Sequence, residues 1–322
     1  MPTFGGVCVK CGKCKAVCPV YSVTREEHLS PRGRVHLAEL VEKGEVRAAD
    51  ASEAFDTCLL CMACEELCPQ YVPVTKWVKR SRAFTKGTSD SLSRAFVGVH
   101  ELVPVRKRRA GSSSKVCAIF VGCLAGEFFR EWMDRLSALL VNLGYRVEVP
   151  EEQVCCGFPF EAKGDFSAAN HRKRRNDRVF AKYDAIVTLC STCASYLKIG
   201  YGWEGRVLDF VELLIGYREI LDLHHEKRAV FHVPCHLHRG QGVDAGAVLE
   251  RMGLKPMSPV CCGFGGSGKS SFEVGALRIR EALGKGASVI YTSCPACVLQ
   301  LRRVSGVLRA GIRVAHILDA VS

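Results

Sequence analysis

Cysteines at positions 8, 11, 14 and 18, and again at 58, 61, 64 and 68, obey one rule, C-x2-C-x2-C-x3-C, with a proline next. Thiolates at this cadence can hold three corners of a [4Fe–4S] cube, while the fourth cysteine crosses over to a second cube. The expected sets are Cys8, Cys11, Cys14 and Cys68 for one cube and Cys58, Cys61, Cys64 and Cys18 for the other. Pro19 and Pro69 then turn the chain away after the crossing ligand. C-x2-C pairs also suit tetrahedral zinc, but zinc has no need of four cysteines in this cadence with a trailing proline. The chemistry on offer is one-electron transfer.

A second pattern is a doubling. The stretch VCCGF occurs at 154–158 and again at 260–264. Around each copy the order agrees: VCAIFVGC (116–123), VCCGF, then IVTLCSTC (186–193), and RAVFHVPC (228–235), VCCGF, then VIYTSCPAC (289–297). Each repeat thus gathers five cysteines, Cys123, Cys155, Cys156, Cys190 and Cys193 in the first and Cys235, Cys261, Cys262, Cys294 and Cys297 in the second. A cube needs only four. One thiolate of an adjacent pair could bridge two irons while its neighbour binds one, and Gly157 and Gly263 would let the backbone come close to such a cluster. Zinc held by four thiolates with a spare cysteine remains open for one repeat. Cys117 lies outside both patterns and reads as a small buried core residue.

Elements must place these thiols. In the insert between the first two runs, Ser30 as N-cap, Pro31 at the first position and Gly44 past the end predict one helix, with Val35, Leu37, Ala38, Leu40 and Val41 as its apolar positions. A second helix is expected from about Thr75 to Lys86. Further on, AIFVG, AIVTL, AVFHV and SVIYT are short, β-branched runs without alternation, as in strands buried on both faces. Between them Phe128, Phe129, Trp132, Leu136, Leu139, Leu140 and Leu143 fall close to a 3.6 period and read as core packing. Strands alternating with helices imply a largely parallel sheet, whose ligands gather at the carboxyl ends of strands, where Cys123, Cys190, Cys235 and Cys294 sit. The expected fold is a helical two-cube ferredoxin domain (1–110), a GSSS-containing linker (111–115), and a duplicated α/β part with repeats at 116–227 and 228–322. Only 25 residues separate Cys235 from Cys261, against 31 between Cys123 and Cys155, so the second repeat has a shorter first helix and a more open or differently shaped pocket.

The 322 residues are 48% apolar, enough for two or three cored domains. Without a basic start leading into an apolar core, and without 18 consecutive apolar residues, the expectation is a cytoplasmic protein with no membrane span, peripheral association staying open. The 19 cysteines are odd in number and too dilute for a disulfide scaffold. The formal charge of +12 hints at nucleic acid. Yet a cube with four thiolates carries about −2, so four clusters would cancel most of the surplus.

On the five-cysteine repeats, SPRGR (30–34), FVGC, HVPCH and CCGFGG, the sequence resembles the cysteine-rich, or CCG-domain, proteins over nearly its whole length. It looks like a fusion of the two-cluster and the cysteine-rich subunits of heterodisulfide reductase. The iron–sulfur subunits of glycolate oxidase, lactate utilisation and anaerobic glycerol-3-phosphate dehydrogenase share the layout. The resemblance implies two cubane [4Fe–4S] clusters, two facing noncubane [4Fe–4S] clusters on the ten CCG cysteines, and splitting of a disulfide between them in an anaerobic oxidoreductase complex. It also implies a flavoprotein or other electron-transfer partner subunit. The alternative is a pure relay for a flavin-dependent 2-hydroxy acid or glycerol-3-phosphate dehydrogenase. No flavin or dinucleotide fingerprint is present.

GFGGSGKS (263–270) satisfies the P-loop pattern G-x4-G-K-S letter by letter. A P-loop must follow a buried strand directly, and this one follows MSPVCC. The expectation is a glycine-rich turn whose amides wrap an anionic cluster or substrate, with Lys269 attracting an anion. His232, His236 and His238 of HVPCHLH are set against two roles: hydrogen bonds or protons for cluster sulfurs, or plain packing and surface placement. The two RKRR runs (106–109 and 172–175) read first as solvated faces, then as docking patches for an acidic partner subunit, and least as nucleic-acid sites.

Overall fold

Residues 8–85 and 108–321 are described by a computed structural model in which the first stretch is helical and the second builds two parallel sheets. The helix Pro31–Lys43 forms for the reasons its sequence gives. Ser30 Oγ accepts from the Gly33 amide at 3.1 Å, Pro31 occupies the first position, and Gly44 ends the helix in the left-handed region. Such a cap stabilises by about 1 kcal/mol. The second helix runs Val74–Phe84, two residues short of the expected Lys86, which lies outside the described residues.

Among the described residues nine strands follow: β1 (Arg108–Ala110), β2 (Val116–Phe120), β3 (Arg146–Val149), β4 (Ile186–Thr188), β5 (Val207–Asp209), β6 (Ala229–Phe231), β7 (Lys255–Pro256), β8 (Val289–Thr292) and β9 (Arg313–His316). The first sheet has the order β1-β3-β2-β4-β5 and the second β7-β6-β8-β9. Apart from β1, which runs antiparallel along β3, both have the same parallel order, so the doubling seen in the sequence is a doubling of topology. The central strands β2, β4, β6 and β8 are the apolar runs without alternation, and helices cover both faces as that pattern requires. Phe120 and Phe231 are fully buried at matching ends of β2 and β6. After β2 the chain makes helices Cys123–Phe128 and Glu131–Asn142; after β6 it makes only Cys235–Gln241 and a seven-residue Ala245–Arg251. The spacing predicted a shorter first helix; the first helices are instead of similar length, and the difference lies in the second, Ala245–Arg251 against Glu131–Asn142.

β1 contains the last two residues of the first RKRR run; Arg106 and Lys107 lie outside the described residues. The second run sits on helix Phe166–Phe180 and is a tether. Arg172 lies over the Phe160 ring at 3.6 Å, Lys173 donates to the Gly200 carbonyl at 2.6 Å, and Arg175 donates to the Glu152 carbonyl at 3.0 Å.

The ferredoxin domain docks on the duplicated part over apolar and polar contacts. Leu59, Ala63 and Cys61 share one buried cluster with Cys235, Cys261 and Val274. Lys79 pairs with Glu161 at 2.5 Å and Arg239 with Glu66 at 2.6 Å. Arg82, almost fully buried, donates to the carbonyls of Phe55, Cys58 and Ala162, stitching the two parts together. The P-loop-like stretch is part of this seam. A Cβ on Gly265 would stand 2.8 Å from the Leu59 carbonyl oxygen, one on Gly266 would stand 2.9 Å from that of Thr57, and the Ser267 amide donates to the Asp56 carbonyl. These glycines are there because two backbones touch. Lys269 is exposed and faces Glu273 at 3.5 Å.

Gly265→Val should therefore lower stability by about 1–3 kcal/mol through overpacking. Gly306→Ala, at a helix position where a Cβ meets nothing, should raise it by up to about 1 kcal/mol. Anaerobic urea unfolding of both variants checks the pair, and an unchanged midpoint for Gly265→Val would contradict the docking.

Candidate metal centres

Cys8, Cys11, Cys14 and Cys68 line one cleft of the ferredoxin domain, and Cys18, Cys58 and Cys61 line the next. Cys64, Pro31 and Val74 stand between and border both. Each set draws three thiols from one run and one from the other, the crossing that the spacing predicts. The loops repeat in conformation too. Lys10 and Gly12 have left-handed φ of 56° and 81°, and Leu60 and Met62, at the same places in the second run, have 52° and 62°. Three of these are not glycine, so the backbone is held against its preference, as happens where successive amides are turned toward an anion. Amides do point at sulfur, from Tyr21 to Cys18 and from Val72 to Cys68, each at 3.5 Å.

The two sets differ in surroundings. Cys11 is exposed and Cys8, Cys14 and Cys68 are partly so, whereas Cys18, Cys58 and Cys61 are buried. Burial pushes the Cys61 and Cys64 thiols up, and neighbouring thiolates push them further. Arg34, 1% exposed, aims Nη1 at Cys18 Sγ at 3.8 Å, while its Nε donates to the Ala54 carbonyl at 2.6 Å and its Nη2 to Thr57 Oγ1 at 3.1 Å. The sequence does not assign it a role. The signal was present: with Pro31, Val35 and Ala38 it lies on the buried face of its helix, a charged residue on an apolar stripe.

In the duplicated part all ten predicted cysteines are buried, five at each site. At the first, Cys155 Sγ is 3.7 Å from Cys123 Sγ and Cys193 Sγ is 3.6 Å from Cys156 Sγ, while the Cys193 amide donates to Cys190 Sγ. At the second, Cys235 Sγ is 4.0 Å from Cys261 Sγ, and Cys297 hydrogen-bonds Cys262 and Cys294. The adjacent pairs split. Cys155 faces Cys123 and Cys156 faces Cys193, so each reaches a different part of the set. Gly157 and Gly263, with φ of 94° and 93°, turn their amides onto Cys155 and Cys261 at 3.5 and 3.4 Å. The backbone they approach closely is that of a later helix, Phe166–Phe180 for Gly157 and Gly268–Gly284 for Gly263. A Cβ would meet the carbonyl oxygen of Ala169 at 3.1 Å in the first case and collide with that of Ser271 in the second.

The electrostatics of these sites point to a cation. Donating to Cys156 and Cys190, and then burial, push the Cys193 thiol well up, and donation to Cys262 and Cys294 does the same to Cys297, while Cys261 and Cys294, which accept from their neighbours, are held well down. Five buried thiols cannot ionise together without positive charge among them. Iron supplies it and takes thiolates as ligands, so the donor sets fit iron–sulfur clusters.

The two sites meet. Cys294 accepts from Cys190 across the repeat boundary, Thr192 Oγ1 lies 3.5 Å from Cys294 Sγ, and Ser191 Oγ lies 2.8 Å from Ser293 Oγ. Behind them is a buried carboxyl that sequence reasoning passed over. Burial raises Asp209 to about 7, even though it accepts from the Val211 amide, Ser191 and Gln241. Its place at the end of β5, capping helix Phe210–Gly216, was readable, but its neighbours come from distant segments.

The three histidines separate. His232 is fully buried, its ring nitrogens lack partners among the described residues, and it lies within 4.8 Å of the Cys262 and Cys297 sulfurs. Burial pushes it down to about 4, so it is neutral. His236 Nδ1 is 3.5 Å from Cys235 Sγ and its ring meets Phe158 edge-on. His238 faces Glu66 at 3.6 Å near the surface. Cys117 is buried in β2, its thiol raised to about 12 by burial.

Comparison with known proteins agrees with this division. Residues 6–72 match the 4Fe-4S dicluster domain, and residues 117–198 and 229–302 each match the cysteine-rich domain. The chain is 28% identical to one of the subunits of fumarate reductase (CoM/CoB) from Methanothermobacter marburgensis, 92% of it aligning with 67% of that protein. It is 30% identical to lactate utilization protein A of Geobacillus kaustophilus, with 64% of the chain covering 98% of the relative. It is 26% identical to the glycolate oxidase iron-sulfur subunit of Escherichia coli, with 81% and 79% covered.

Asn176 clamps the first site from behind, accepting from the Val154 amide at 3.0 Å and donating to the Val154 and Cys155 carbonyls. Asn176→Ala leaves these groups unpaired. The expected loss is about 1–3 kcal/mol, read by anaerobic unfolding, with iron falling at the first repeat while the ferredoxin iron stays.

Proposed function

Since the chain belongs to the cysteine-rich, CCG-domain family of iron–sulfur electron-transfer proteins, we propose that it is the relay and substrate-reducing subunit of an oxidoreductase complex. Two cubane clusters are held by Cys8, Cys11, Cys14 and Cys68 and by Cys58, Cys61, Cys64 and Cys18. Two noncubane clusters are held by Cys123, Cys155, Cys156, Cys190 and Cys193 and by Cys235, Cys261, Cys262, Cys294 and Cys297. When bound, these groups supply one-electron chemistry.

One observation carries the reading: the four cysteine sets stand in a row. The outer ferredoxin set borders the inner one at Cys64. Cys61 of the inner set is packed with Cys235 and Cys261 of the second repeat. Cys294 of that repeat touches Cys190 of the first. The exposed end of the row is Cys11, where a flavoprotein or other electron-transfer subunit would deliver.

The substrate is a disulfide. Its reduction takes two electrons and two protons and gives two thiols, so electrons arriving singly must be collected in pairs. Two complete thiol sets that meet at Cys190 and Cys294 give a place for both sulfurs of the disulfide, with the Thr192, Ser191 and Ser293 hydroxyls beside them. The likeness to a subunit of fumarate reductase (CoM/CoB) is in keeping with such a substrate-reducing role. Similarity to glycolate oxidase and lactate utilization proteins favours a second reading, a relay that serves a flavin-dependent 2-hydroxy acid or glycerol-3-phosphate dehydrogenase and has no substrate of its own.

Protein purified under anaerobic conditions should contain about sixteen irons with matching acid-labile sulfide. Adding the thiol product under oxidising conditions should then induce a new paramagnetic signal from the cysteine-rich part. About eight irons with zinc would leave only the ferredoxin cubes. Full iron with no thiol-induced signal would leave the relay.

A further inference from the structure

We propose that two buried guanidinium groups, Arg34 and Arg82, make the inner ferredoxin set a better electron acceptor than the outer one, so that charge is drawn inward toward the cysteine-rich repeats. The inference rests on the reading that both sets hold cubes.

Apart from the Cys18 thiol, the acceptors of Arg34 are neutral, the Ala54 carbonyl and the Thr57 hydroxyl. No carboxylate pairs with it among the described residues. A guanidinium buried without a counter-ion is costly, and what offsets the cost here must be negative. Arg82 reaches the same set from another helix, Val74–Phe84. It is 7% exposed, donates to the Cys58 carbonyl at 2.6 Å, and has its nearest carboxylate, Asp56, at 4.0 Å. Two positive charges against one acid therefore touch Cys18 and Cys58 in a medium that screens them weakly.

The outer set has the opposite surroundings. Of the cations around it, Arg32 and Lys15 are paired with Glu27, at 2.6 and 2.8 Å, Lys10 and Lys13 line the cleft but are exposed, and Cys11 is open to water, which screens what charge remains. Two runs of the same spacing and loop conformation are thus placed in unequal fields. Adding an electron adds negative charge, which a buried cation and an N–H aimed at sulfur both favour. Transfer of one electron from the outer set, which is oxidised, to the inner set, which is reduced, then runs downhill. The donor of that electron is the one-electron carrier of the partner subunit.

The test is an anaerobic, mediator-equilibrated redox titration of the full chain, following the electron paramagnetic resonance of the reduced cubes. The wild type should titrate in two steps. Arg34→Met should weaken reduction at the higher step at least tenfold, about 59 mV for a one-electron couple, and leave the lower step in place. Arg82→Gln should move the same step in the same direction, and Arg34→Lys, which keeps the charge, should keep most of the wild-type value. If Arg34→Met does not assemble its cubes, Arg34→Gln, uncharged but still able to donate to Thr57, decides by the same criterion. A variant with full iron that titrates like the wild type, or shifts only the lower step, overturns the proposal. Iron quantification on each sample separates that result from a chain whose ferredoxin cysteines hold no iron, in which case the cubes themselves would be refuted.

Discussion

Sulfur crowded out of water is the constraint on which the structure depends. Each repeat brings five cysteines within touching distance in an interior that admits almost no solvent. As thiols they are poor hydrogen-bonding groups, and as thiolates they repel one another in a medium that hardly screens them. Only interspersed positive charge makes the arrangement favourable. The parallel sheets, the left-handed glycine turns after the paired cysteines and the clamp at Asn176 are all ways of holding such a set in shape before the metal arrives.

The duplicated sheets have the same strand order, and a symmetric pair of sites could have been served symmetrically. It is not. The ferredoxin domain lies against the second repeat's cysteines, where the glycines at 265 and 266 let the chain near Leu59 come in contact. The first repeat keeps its longer helix and is reached by the ferredoxin domain mainly through Arg82, Lys79 and the segment around Ala162. Docking of one domain against one copy thus gives the two sites different neighbours.

Much of this was legible in the sequence, because the relevant signals are local. Spacing alone gave the two ferredoxin runs, and Ser30, Pro31 and Gly44 gave a helix to the residue. Apolar runs ending in cysteine gave the strands and put Cys123, Cys190, Cys235 and Cys294 at their carboxyl ends. What sequence reading could not reach is where distant segments meet. GFGGSGKS reads as a turn around an anion; Gly263 does turn its amide onto Cys261, but Gly265 and Gly266 serve a contact between domains that no periodicity encodes. Of the second RKRR run, which reads as a solvated face, Arg174 and Arg175 are exposed, while Arg172 and Lys173 are tied to the Phe160 ring and the Gly200 carbonyl of other segments. Asp209 and Arg34 became notable only once their surroundings were known to be dry.

Cys11 is the one cysteine of the ferredoxin runs that stands fully in the open. Oxidants in solution meet that sulfur before any other, since thiolate oxidation follows exposure. Damage by air would then spread from the rim of the molecule, and the deeper centres would survive as a stranded store, intact yet cut off from their supply.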